Sequence, residues 1–240
     1  MPTPALIMPA MFFRAGAVSL VLLLASRLLG LLRESAQAAA FGATGLGDVA
    51  VLMLTLPDWI TGVLASGGLA YVLLPAWARQ GAGQVAASQS RVSHGLVLAG
   101  CLLATLLALW HPLVLRWLLP GLPNELVPDA GTALLWSATA LPLAMLAALG
   151  STRLQHERDF VGMYGANLVV NLVVIATLAA LLAQAAPASA PAVRLLGTGL
   201  LLAMAARLAW LLLRRRRLPK AAPVVEGSAL PALPVWAWAI

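Results

Sequence analysis

Residues 55–75 read TLPDWITGVLASGGLAYVLLP. The run is apolar enough to lie in a bilayer, yet it carries Pro57, Asp58, Gly62, Gly67 and Gly68. Pro57 has no N–H and its ring presses on the carbonyl one turn back, while the glycines permit bending or close backbone approach. Interruptions of this kind are tolerated at membrane depth where protein or a water-filled cavity satisfies the freed backbone, and in transporters they mark the path of the cargo. Two readings stay open on these letters. Either Pro57, Asp58, Gly62 and Gly67 form a helix break lining a cavity, or the small residues serve a close helix crossing.

The flanking sequence supports the membrane assignment. Of 240 residues, 62% are hydrophobic and only 10% charged, against roughly 25% charged in a soluble domain, and the mean hydropathy is +0.94. The apolar runs have the length of about 20 residues that a helix needs to cross a bilayer, without the strict alternation of a lipid-facing strand. The chain therefore reads as an all-α polytopic membrane protein. Helices are predicted at about 12–32, 49–77, 92–111, 130–150, 160–183 and 192–213. They form a six-helix bundle occupying residues 1–218. Residues 219–240 hold a linker rich in Pro and small residues, and the start of a seventh helix near residue 229. No small-residue cleavage site follows the apolar run of the first helix, which argues against a cleaved signal peptide. One cysteine, Cys101, excludes an internal disulfide and reads as packing.

The net charge of +7 would suggest nucleic acid in a soluble protein, but here it reports topology, and no nucleic-acid partner is expected. Ten basic residues fall on one side: Arg14, Arg79, Arg91, Arg153, Arg158, Arg214, Arg215, Arg216, Arg217 and Lys220. Three, Arg33, Arg116 and Arg194, fall on the other. The bias puts the N-terminus and the run RRRRLPK in the cytoplasm. That run serves as topogenic charge, with a specific anionic-lipid site as the alternative. Trp77, Trp110 and Trp117, near predicted helix ends, read as interfacial anchors.

Arg27 and Arg207 lie inside helices. A charge near mid-membrane costs about 2.5 kcal/mol or more, so Arg27 should face a partner or a wet cavity unless a tilted helix lets it snorkel outward. Gly45 and Gly47 allow a tight turn before Asp48, which either caps the second helix or also faces an external opening and pairs with Arg33. The cluster Arg153, Glu157, Arg158, Asp159 reads as solvated ion pairs. No group of Cys, His, Asp and Glu has metal-ligand spacing, and no Gly-rich loop follows a strand, so neither a metal nor another cofactor is expected. An enzyme alternative is a rhomboid-like serine protease built on Ser66 and His94. A Ser–His dyad needs hydrogen-bond contact, whereas Ser66 lies mid-helix and His94 at a helix start, so the depths disagree.

The stretch SRLLGLLRESAQAAAFGATGLGDVAVLMLTLPDW, residues 26–59, resembles the N-terminal signature of the MurJ (MviN) lipid II flippase family of the multidrug/oligosaccharidyl-lipid/polysaccharide exporter superfamily. The resemblance is carried by Ser26-Arg27, Leu29-Gly30, Arg33-Glu34, Phe41-Gly42-Ala43, Asp48 and Leu56-Pro57-Asp58, with weaker echoes at 71–79, 118–122 and 149–172. It covers the N-terminal half of a family member. It implies one lobe of a two-lobe flippase in the bacterial inner membrane, moving lipid II by alternating access for peptidoglycan synthesis. By resemblance Arg27 and Arg33 bind the anionic head group, Asp48 serves the external gate, and the partners are lipid II, membrane lipids and a C-terminal lobe in the same or a second chain. The chain departs from the family at Thr61-Gly62, where a pair of arginines is usual, and at Ala65-Ser66-Gly67, where Ala-Glu-Gly is usual. Two cavity cations and one carboxylate are thereby lost, which leaves open a flippase for another polyprenyl-linked glycan, or an inactive paralogue.

Overall fold

A computed structural model describes residues 4–184 and 189–217, and within them every regular element is helical. The linker and the seventh helix expected within 219–240 lie outside the described residues. In chain order the helices are α1 (Pro4–Phe41), α2 (Gly45–Val63), a π segment (Leu64–Gly68), α3 (Leu69–Trp77), α4 (Ala82–Leu109), α5 (His111–Leu118), α6 (Val127–His156), α7 (Phe160–Leu182) and α8 (Ser189–Arg217). Five helices, Gly45–Val63, Ala82–Leu109, Asn124–His156, Phe160–Leu182 and Ser189–Arg217, are long and apolar enough to cross a membrane. The sixth long helix is α1, which runs past the predicted end to Phe41 and stops where Gly42 turns into the left-handed region at φ 64°.

The centre of the bundle is α6, packed against α2, α4 and α8. Its inner positions are small, with Ala133, Ala140, Ala144, Ala147 and Ala148 fully buried. Small residues let backbones approach in a bilayer, where apolar burial does not drive helices together. The crossing with α4 shows this: a Cβ on Gly100 would stand 2.9 Å from Pro142 Cα. The other faces of α4 remain apolar and open, with Leu98 and Leu102 exposed. α7 bridges α8 and α1, so α1 joins the bundle chiefly through α7.

The helix expected to break at Pro57 runs through it unbroken. Pro57 deprives the Met53 carbonyl of its helical donor. Ser137 Oγ of α6 supplies a replacement at 2.8 Å, in a site with no solvent exposure at Ser137. The irregularity falls at Leu64–Gly68 instead, where the Leu69 N–H reaches back five residues to Leu64 O.

Three other expectations need correction. The cap of α2 is Thr44, whose hydroxyl accepts from Gly47 N at 3.3 Å; Asp48 lies exposed in the first turn, where its charge suits the helix dipole. Trp110 and Trp117 are exposed, but Trp77 is 1% exposed in a core with Leu73, Val85 and Leu149. Its ring meets His156 edge-on and lies under the Arg153 guanidinium, so it ties α3 to α6. Asp159 is likewise not solvated: it caps α7 through Gly162 N and accepts two hydrogen bonds from Arg214, at 2.7 and 3.1 Å. Burial pushes its carboxyl up, but the Arg214 hydrogen bonds, the Gly162 N–H and the guanidinium charge outweigh this and hold it below the usual carboxylate range. Arg153 pairs with Glu157 one turn on. These contacts gather the ends of α3, α6 and α8 and the start of α7 at one end of the bundle, beside the run Arg214 to Arg217.

Candidate functional site

A cavity of about 800 Å³ opens between α1, α2, α7 and the inner ends of α6 and α8. α1 gives it one stripe, Leu23, Arg27, Gly30 and Glu34, at the three- and four-residue spacing of a single helix face. α2 contributes Asp58, Thr61 and Gly62, and the π segment contributes Ala65. The far wall is polar without charge, including Ser151, Gln155, Asn167 and Asn171, and Arg207 of α8 closes it.

Three guanidiniums thus face two carboxylates, leaving the wall with positive charge in surplus. Arg33 Nη1 donates to Asp58 Oδ2 at 2.7 Å, joining α1 to α2 across the cavity. Both side chains keep partial access to it. Asn171 Nδ2 donates to the Ser26 carbonyl at 3.3 Å and joins α1 to α7. Arg27 forms no ion pair among the described residues and its side chain is exposed at the cavity wall. Arg207 is buried, its Nε has no hydrogen-bond partner, and the carboxylate whose charge reaches it is Asp58. A buried guanidinium with an unused donor carries a cost that an incoming anion relieves.

The expected site residues divide. Arg27, Arg33, Asp58 and Gly62 meet in one cavity. Asp48 stands away from it, exposed at the start of α2, and Arg33 pairs with Asp58 rather than with Asp48. Pro57 is buried behind the cavity wall and Gly67 is not part of it. A Cβ on Gly62 or Gly67 would meet nothing within 4 Å, so neither glycine serves a close crossing. Thr61, in place of a cation, turns its hydroxyl to the Pro57 carbonyl at 2.8 Å and toward Ala144 O at 3.4 Å, stitching α2 to α6. In the sequence Arg207 stands out only as a charge inside a helix, next to the apolar run Leu208 to Leu213, and nothing there signals its convergence with Arg27. The Ser66 and His94 pairing finds no support at His94, which spends Nδ1 on the Ser90 carbonyl of its own helix. Among the described residues no cluster of three metal-ligating side chains occurs.

The chemistry open to this wall is set by its donors. Guanidiniums grip phosphate oxygens in pairs, and a site screened from bulk water strengthens each contact. The amides and hydroxyls opposite can hold neutral sugar or peptide groups by hydrogen bonds.

A family model described as lipid II flippase MurJ matches residues 37–225. No curated protein and no solved structure matches. The matched span contains Asp58, Thr61, Gly62 and Arg207, while Arg27 and Arg33 precede it.

Proposed function

Because the chain belongs to the MurJ family of lipid II flippases, we propose that it supplies one lobe of a flippase that carries lipid II across the bacterial inner membrane by alternating access. The observation that carries this reading is the convergence of Arg27, Arg33 and Arg207 on one cavity with fewer carboxylates than cations. A pyrophosphate-linked lipid offers the multiple anionic oxygens that such a wall fits, and its prenyl chain stays in the bilayer while the head group occupies the cavity. Asp58 holds Arg33 while the cavity is empty and yields it to the phosphate. Asp48, with its charge at the open end of α2, belongs to the external gate. The basic end of the bundle faces the cytoplasm, and a C-terminal lobe, in this chain or another, closes the second side.

Restoration of growth in a bacterium depleted of its own flippase tests this, with the chain supplied alone and with a C-terminal lobe. Arg27→Ala and Arg207→Leu in the competent form should each abolish rescue. Failure of every form to move lipid II to the outer leaflet would sink the assignment. A second reading, another polyprenyl-pyrophosphate-linked glycan, is favoured by Thr61 and Gly62, which give α2 no cation on its cavity face. Transport of such a glycan without transport of lipid II decides for it.

A further inference from the structure

The two amides of α7, Asn167 and Asn171, lie with Tyr164 on one stripe at three- and four-residue spacing, and all three line the transport cavity. Ser151 and Gln155, four residues apart on α6, extend the same wall. From Tyr164 to Asn171 the stripe runs about 10 Å along the helix. Gln155 and Asn167 make no hydrogen bond among the described residues, and neither is shut off from the cavity: Asn167 is exposed, and the buried polar atoms without partners belong to other residues. An unbonded amide in a membrane-spanning helix is costly unless water or cargo meets it. Asn171 fixes where this wall begins. Its Nδ2 donates to the carbonyl of Ser26 at 3.3 Å, which sets the amides beside Arg27, a guanidinium without an ion pair among the described residues.

We propose that Gln155 and Asn167 are specificity-determining residues, which read an N-acylated sugar joined directly to the diphosphate of the cargo; this rests on the reading of the cavity as a polyprenyl-diphosphate carrier. A carboxamide holds a donor and an acceptor in one plane, and the C=O and N–H of an acylamino group answer both, where a hydroxyl in its place meets them one at a time. A site built to bond such a group rejects the analogue that lacks it. The wall has no charge of its own, so a carboxylate or an ammonium gains no ion pair there. With the phosphates gripped by the guanidiniums of α1 and α8, the first sugar is the group that reaches the amides next to Arg27.

The purified whole chain in detergent micelles is titrated by calorimetry with farnesyl diphosphate, farnesyl diphosphoglucose and farnesyl diphospho-N-acetylglucosamine. The N-acetyl probe should bind at least about tenfold more tightly than the glucose probe, the worth of about one or two hydrogen bonds. Gln155→Leu and Asn167→Leu should each bring that ratio below about threefold and leave farnesyl diphosphate within about twofold of wild type, which also reports that both variants fold. Thr177→Val removes a hydroxyl of α7 that bonds Val173 O away from the cavity, and should leave the ratio unchanged. Equal binding of the two sugar probes by the wild-type chain overturns the sugar assignment and leaves the transport reading standing, since farnesyl diphosphate still binds. Equal losses of all three probes in the amide variants assign these residues to support of the fold and overturn it too. Absence of binding by every probe, farnesyl diphosphate included, sinks the transport reading and the sugar assignment with it.

Discussion

The passage of α2 through Pro57 rests on a donor borrowed from another helix, and this can be measured. Ser137→Ala removes the hydroxyl that reaches Met53 O at 2.8 Å. The hydroxyl has one proton, and its alternative acceptor, Ala133 O of its own helix, is farther at 3.2 Å. The variant therefore strands a buried carbonyl that Pro57 has already cut off from its helical donor. Leaving such a group unmet costs about 1–3 kcal/mol, and hydrogen bonds between membrane helices measured by double-mutant cycles run from about 0.6 to 1.7 kcal/mol. A loss of about 1–2 kcal/mol is expected for Ser137→Ala. In a Pro57→Ala background residue 57 regains an N–H that reaches Met53 O along the helix, the hydroxyl becomes redundant, and Ser137→Ala should cost less than about 0.5 kcal/mol. Reversible unfolding in mixed detergent micelles, followed by tryptophan fluorescence, gives the four stabilities of the cycle. Equal costs of Ser137→Ala in both backgrounds would mean that the hydroxyl acts on something other than the carbonyl freed by Pro57.

Asp58→Asn should act with opposite signs on two quantities. It removes the partner of Arg33 and the counter-charge of Arg207, lowering stability of the empty protein by about 2 kcal/mol, while undecaprenyl pyrophosphate, no longer competing with a carboxylate, should bind up to about 30-fold more tightly. Weaker binding in an equilibrium assay would show Asp58 to be a positioning group instead. Gly100→Ala should cost about 1–3 kcal/mol, since its methyl meets the Pro142 backbone at 2.9 Å, whereas Gly62→Ala points into open space and should be neutral or gain up to about 1 kcal/mol of helix propensity. Thermal unfolding of the two variants side by side reads the difference. The Asp159–Arg214 pair gives a pH dependence of known sign: with the folded carboxyl held low, its contribution is complete above the ordinary aspartate range of about 4 and disappears as pH falls through the depressed value. Asp159→Asn should flatten the fall in melting temperature between neutral and acid pH, and an unchanged slope would assign the acid sensitivity elsewhere.

The long spans were legible because length and hydropathy carry them, and most of the apolar runs end within about a turn or two of the observed helices. α5 was not, since eight residues starting at His111-Pro112 are too short for a periodic pattern to stand out from a loop. Pro57 misled for a definite reason: local chemistry predicts a break, and a tertiary hydrogen bond from Ser137, 84 residues along the chain from Met53, removes the need for one. Trp77 misled likewise, because an indole at a helix end suits a membrane interface, and only the packing of α4 and α6 over it turns that end inward. Of the site, Arg27, Arg33 and Asp58 could be marked as charges out of place. That Arg207 completes them depends on α7 bringing α8 toward α1, and no spacing within one chain segment encodes such a juxtaposition.

The π segment between α2 and α3 holds one residue more than an α-helical turn requires. Each residue passed from one geometry to the other changes the angular phase of the downstream helix by about 100°. On the α3 side Trp77 is wedged among Val85, Leu149 and His156, and on the α2 side Thr61 and Met53 are stitched to α6. Both ends of this span are clamped, so the extra residue sets the phase between them: it fixes the angle at which the Trp77 face of α3 leaves the Thr61 face of α2.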